Sequence, residues 1–388
     1  MTNCAGEKVA VLDGGFTSRC AVGNTNDYLT ALGGYVNKKL TAFGAPLSIS
    51  IVIPSFNSGK ELREALLSIL SQQYKQKVEL LVFLNEPPDA SSDARKQNDR
   101  NEHLLKFLCA CQREGKRRQS KAVITKEEKQ LCAVLSIQQK YVRLRYVRAV
   151  VKNGLSEVYQ IILASYVARV RRFCDSQTDD KARKAALIHS YAYKSFLLVV
   201  DDDMQFESSF AVQSAYEYAL RNNAVVLGRL KIKKVVTENQ SLKNVLRGVM
   251  QLFLDFKHDR GMNFLTPRGM LLLHALEGGK VEIGKLYSDQ LYFAKITGNH
   301  AKYFIGAKTT IGESNHPGNG QFLKKLRRYL EGESNDALKI FENILTAYRG
   351  SVAQGKYCGG DITLLIAALK ARDKMKLLGV SNHLLRRK

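Results

Sequence analysis

The chain has 388 residues, 45% of them hydrophobic, enough to bury the core of one large domain or two ordinary ones and too many for an unfolded polypeptide. Lys and Arg outnumber Asp and Glu by 60 to 36, and the formal charge of +24 creates a field attractive to nucleotides, nucleic acid or anionic membrane without choosing among them. The seven cysteines are odd in number and scattered, so they read as reduced thiols of a cytoplasmic protein. Cys109 and Cys111 lack the spacing and the second Cys/His pair of a structural zinc site.

Residues 1 to 23 have no apolar core preceded by positive charge, so no secretory signal is expected. The longest apolar stretches, around Leu271 to Leu276 and Leu364 to Leu369, fall far short of the roughly 20 residues a membrane helix needs.

In chain order, residues 1–46 form an N-terminal extension rich in Gly, Asn and Thr, whose Asp13-Gly14-Gly15 reads as a hairpin or loose turn. Leu47 to Ile53 alternates as a strand, with Pro54 expected to stop it. Ser58 and Glu61 have the spacing of a capping box, and Leu62, Leu66, Ile69 and Leu70 then recur on one helical face. Val78 to Leu84 is the next strand, ending at Asn85-Glu86-Pro87, so strand, helix and strand predict a parallel unit. Ala90 to Lys129 is charged and expected to be helical with mobile connections. A strand at Val142 to Val150, a helix from Leu155 through Val170 and a helix around Asp179 to Tyr193 follow. This alternation predicts a doubly wound sheet whose ligand edge lies at Pro54, Asn85 and Asp201.

The last strand of that series, Phe196 to Val200, runs straight into Asp201-Asp202-Asp203. Clustered carboxylates at the end of a buried strand are costly unless a cation or a catalytic task offsets them. Asp201 and Asp203, as alternate residues, are candidates to hold one divalent ion together.

Ser50-Ile51-Val52-Ile53-Pro54-Ser55-Phe56-Asn57, followed by Leu66-Leu67-Ser68-Ile69-Leu70-Ser71-Gln72-Gln73, resembles the opening of the family 2 glycosyltransferases of GT-A fold. The aspartate cluster about 145 residues later falls where that resemblance puts an Asp-x-Asp motif. The resemblance implies a GT-A-type, Rossmann-like mixed sheet flanked by helices over residues 47–316, with a basic helical C-terminal extension over 317–388. It implies inverting transfer of a sugar from a nucleoside-diphosphate donor, UDP-sugar favoured, to a carbohydrate or lipid-linked acceptor. Pro54, Ser55, Phe56 and Asn57 would line the nucleoside pocket with Glu86, which stands where the family usually has an aspartate. Asp201 and Asp202 would meet the sugar nucleotide, and Asp201 and Asp203 would bind Mn or Mg. The family's catalytic pair matches Ser288-Asp289, which makes Asp289 the general base, and His316 is a third metal-ligand candidate.

Lys324, Lys325, Arg327 and Arg328 are expected on a helix, either as a solvated face or as a diphosphate clamp. The C-terminal helices, with an apolar face and terminal basic residues, offer an anionic membrane surface as a further partner, at the inner face of a membrane. Two alternatives stand beside this reading: a sugar-nucleotide pyrophosphorylase, whose Gly-rich phosphate loop is missing after the first strand, and a basic nucleic-acid binder. Arg143, Arg145 and Arg148 among tyrosines suit the binder, but specific nucleic-acid recognition is not expected, because charge alone gives no reason for three aspartates at a strand end.

Overall fold

The computed structural model describes residues 10–11, 43–45, 47–114, 125–151, 155–193, 195–222, 225–236, 264–267, 301–312, 319–339 and 359–372, with positions 243, 246, 342 and 376–377. Its strands are β1 (Ala10–Val11), β2 (Ile49–Ser55), β3 (Val78–Glu86), β4 (Val142–Val150), β5 (Phe196–Val199), β6 (Met204–Phe206), β7 (Val225–Val236), β8 (Phe264–Pro267) and β9 (Ala301–Gly312). Among the described residues they form one mixed sheet in the order β1-β4-β3-β2-β5-β8-β7-β9-β6. The first five pair in parallel. Beyond them β8 pairs antiparallel with both β5 and β7, β9 runs parallel to β7, and β6 closes the far edge antiparallel to β9.

Every residue of β2 and β3 is buried. This is expected of central parallel strands covered on both faces, and it explains their near-continuous runs of Ile, Val and Leu. Helix α1 (Lys60–Leu70) buries Leu62, Ala65, Leu66, Ile69 and Leu70. They join Ile49, Ile51, Ile53, Leu80, Val82 and Leu84 in the main core. Leu104, Leu105 and Leu108 of α2 (Ser92–Glu114) and Leu131 and Leu135 of α3 (Lys126–Gln138) complete that layer. The charged stretch expected to be helical is so over Ser92–Glu114 and from Lys126 onward. Thr125 caps α3, its hydroxyl accepting from the Glu128 N–H at 3.2 Å while the Glu128 carboxylate accepts from the Thr125 N–H at 2.8 Å.

The opposite face is covered by α4 (Leu155–Gln177), against which α5 (Lys181–Tyr193) packs through Leu187 and Ile188. There Glu79 of β3, fully buried, meets Arg169 of α4 in a two-pronged pair at 2.7 and 2.6 Å. Arg169 Nε also donates to the Gly44 carbonyl at 2.6 Å, and the Arg145 guanidinium lies 4.3 Å from the Phe43 ring centre. Burial pushes the Arg145 guanidinium down to about 10, with Glu79 pulling it back up. The remaining described helices are α6 (Ala211–Asn222), α7 (Asn319–Leu330) and α8 (Gly359–Lys370). Among the described residues no helix is long and apolar enough to cross a membrane.

Two local expectations are corrected. Pro54 does not stop β2, which runs on to Ser55 and pairs there with β3. Val52 accepts from the Val200 N–H, so position 54 faces the same neighbour, β5. Lacking an N–H, Pro54 offers β5 no donor, and the pairing of β2 with β5 ends at Val52 and Val199. Nor does Ser58 cap α1. The N-cap position is Gly59, with no side-chain cap, and the Ser58 hydroxyl is used elsewhere.

Candidate functional site

The chain builds outward from β2 to β3 to β4, then crosses back so that β5 lies on the other side of β2. The order therefore reverses between β2 and β5. In an open α/β sheet the crevice at the carboxyl ends of two such strands is the usual ligand site. Here the β2 end supplies Ser55-Phe56-Asn57-Ser58 and the β5 end supplies Asp201-Asp202-Asp203.

The structure brings these two segments into contact. Asp202 is 4% exposed, and its Oδ2 accepts from the Phe56 N–H at 3.3 Å and, at close range, from the Ser58 hydroxyl. Asp201 and Asp203 flank it and are half-buried. The Met204 N–H donates to the Asp201 carbonyl at 3.1 Å, which closes the acidic turn before β6. Asn57 sits in the left-handed region, φ 55°, which a short polar side chain tolerates better than most.

Helix α2 holds this edge together. Asn98 and Asn101 are both fully buried. Asn98 Oδ1 accepts from the Asn57 N–H at 3.2 Å, while its Nδ2 donates to the Asn85 carbonyl at 3.0 Å. Asn101 Nδ2 donates to the Ser58 carbonyl at 2.5 Å, and Gln97 Nε2 reaches the same oxygen at 3.2 Å. None of these three amides was singled out from the sequence. Their only signal was the i, i+3 spacing of two asparagines inside a charged helix.

Glu86, placed by resemblance near the base, is tied to Arg148, whose Nε donates to Glu86 Oε2 at 3.0 Å. The same guanidinium donates to Asp99 at 2.5 Å and Glu102 at 3.0 Å. Burial works against its charge, but the bonds to Asp99, Glu86 and Glu102 outweigh that and hold it above its ordinary value. Arg145 and Arg148 thus both lie beside carboxylates of the protein itself, which removes support from the nucleic-acid alternative. Two buried atoms at the same edge, Ser55 Oγ and Asn85 Oδ1, have no hydrogen-bond partner among the described residues.

The donor set bears on a metal. Among the described residues no group of three or more His, Cys, Asp or Glu is arranged to hold an ion. Asp201 and Asp203 supply two half-buried carboxylates beside an inward-turned third. Such a set suits Mg or Mn, which commonly takes one or two carboxylates and completes its shell with phosphate oxygens and water. Asp289 and His316 lie outside the described residues. On α7, Arg328 lies 3.3 Å from Glu333 in an exposed surface pair, and the half-buried Arg327 lies 3.8 Å from Glu331.

No protein-family model and no curated protein matches the chain. Among solved structures it is similar to S. aureus TarS 1-349 in complex with UDP-GlcNAc, at 12% identity over 88% of this chain and 92% of that one, with a TM-score of 0.38. It is also similar to the mannosyltransferase PcManGT from Pyrobaculum calidifontis in complex with GDP-Man and Mn2+, at 12% identity over 94% and 85%, with a TM-score of 0.35. Likenesses at that level assign no residue of this chain a role. Its function has to be argued from its own side chains.

Proposed function

We propose that the chain is a metal-dependent inverting glycosyltransferase that moves a sugar from a nucleoside-diphosphate donor to an acceptor hydroxyl, with residues 47–316 as its catalytic domain. The observation that carries the reading is the junction of two segments about 145 residues apart: Asp202 binds the loop after β2 at the reversal point of the sheet. A merely acidic surface turn has no need of that bond.

In this reading Pro54, Ser55, Phe56 and Asn57 line the nucleoside pocket, where the unpartnered Ser55 Oγ and Asn85 Oδ1 are available to ligand donors or acceptors. Asp201 and Asp203 hold Mn or Mg against the diphosphate. When bound, the ion offsets the negative charge that grows on the leaving diphosphate. Asp289 takes the proton from the acceptor hydroxyl as its oxygen attacks the anomeric carbon from the face opposite the leaving group. His316 is the further metal ligand of the reading. Glu86, held by Arg148, shapes the pocket wall through the Asn85-Glu86 backbone.

Calorimetry with UDP and GDP tests this, each with Mn and with chelator, on the wild type and on the Asp201→Asn/Asp203→Asn double variant. Metal-dependent binding by the wild type that the variant loses is the expected result. A folded wild type that binds neither nucleotide overturns the reading.

A further inference from the structure

We infer that Asn98 and Asn101 of α2 are positioning residues of the donor site: they set the backbone of the loops after β2 and β3 before any ligand arrives. The inference rests on the function proposed above. Asn98 uses both ends of its amide, accepting from the Asn57 N–H at 3.2 Å and donating to the Asn85 carbonyl at 3.0 Å, and so clamps the two loops to each other. Asn101 and Gln97 fasten the next carbonyl, that of Ser58. The Ser58 hydroxyl in turn binds Asp202, so the bracket reaches the acidic turn through one residue.

Three features separate this arrangement from ordinary helix packing. The two asparagines are fully buried, where a polar group is retained only if its partners are met; Asn98 meets only main-chain atoms of the loops, and Asn101 donates to one while its Oδ1 accepts from Gln97 Nε2 at 3.2 Å. The loop they grip contains Asn57 at φ 55°, a conformation that needs outside support to be the dominant one. The gripped segments also carry Ser55 Oγ and Asn85 Oδ1, the buried atoms that lack partners among the described residues. The Asn98 amide donates from one end and accepts at the other; a carboxylate in its place keeps the bond to Asn57 and loses the one to Asn85.

The test is calorimetric titration of UDP and GDP, with Mn present, into the full chain carrying Asn98→Asp or Asn98→Ala, each first shown to be folded by circular dichroism well below its melting temperature. Loss of one well-placed bond corresponds to about tenfold. The preferred nucleotide should therefore bind Asn98→Ala about tenfold or more weakly, with Asn98→Asp between it and the wild type. A purely structural role would lower the melting temperature and leave the affinity of the folded protein unchanged; equal affinities within twofold overturn the inference. If Asn98→Ala does not fold, Gln97→Ala and Asn98→Asp decide. A weakening of at least about threefold in the folded variants sustains the inference, and wild-type affinity in both overturns it. Absence of nucleotide binding by the wild type overturns the proposed function and this inference with it, an outcome that the wild-type titration distinguishes from failure of the bracket alone.

Discussion

Asp202 accepts two hydrogen bonds from the loop after β2 while its neighbours Asp201 and Asp203 remain half-buried at the crevice. Replacing it with alanine leaves the Phe56 N–H without its carboxylate acceptor and the Ser58 hydroxyl with only the longer bond to the Phe56 carbonyl at 3.4 Å. We expect a loss of about 1.5 to 3 kcal/mol in urea unfolding, as for other hydrogen bonds to charged groups. Ser58→Ala should cost less, and the double variant less than the sum of the two, because both remove the same bond. Asp201→Asn and Asp203→Asn should behave oppositely, shifting stability by no more than about 0.5 to 1 kcal/mol while abolishing metal-dependent nucleotide binding. The three acids were plain in the sequence. Which one turns inward was not, because that follows from where β5 ends and the chain turns. Ser58 misled for a related reason: its spacing to Glu61 suits a cap, but the helix starts one residue later with Gly59 as N-cap, and the Ser58 hydroxyl donates to Asp202.

At the level of single elements, β2, β3 and β5 were legible from near-continuous apolar runs and β4 and α1 from one periodic apolar face. The sequence predicts a helix over α2 but marks no function on it. The amides that bind the loops after β2 and β3, Gln97, Asn98 and Asn101, sit among Lys96, Asp99 and Arg100 and have no apolar period to mark them. Gln72 of the Ser-Ile-Leu-Ser-Gln run is similar: its amide donates to the Ser208 carbonyl at 2.8 Å and accepts from the Val212 N–H at 3.2 Å, joining α1 to α6. Gln72→Ala is expected to destabilise the fold by about 1 to 3 kcal/mol. It should leave nucleotide affinity near wild type, since it lies at the opposite end of α1 from the site. Removing the α3 cap by Thr125→Ala should cost about 1 kcal/mol in thermal unfolding, again with no effect on binding.

Across the whole molecule, the parallel half was readable from alternating strands and helices, whereas β7, β8 and β9 were not anticipated. Residues 225–236 alternate as a strand, but the segment lies after the recognisable motifs and pairs with partners distant in sequence. The two faces of the sheet are also unequal. One is an aliphatic core; the other contains the Glu79–Arg169 pair with Arg145 beside it, invisible in sequence because its members are 90 residues apart. Removing one partner leaves a buried charge behind. Arg169→Met should therefore cost about 3 to 5 kcal/mol, while Glu79→Leu with Arg169→Met together should restore most of it. Equilibrium unfolding of the two variants side by side checks this.

The Asp202 bond closes a loop of 144 residues to Ser58. Units such as β2, α1 and β3 join over short distances and can form early, whereas this closure requires β5 to slot in beside β2 after everything between has been made. A nascent chain that ends before Asp202 would thus hold β2, α1 and β3 with the Phe56 N–H still lacking its carboxylate acceptor.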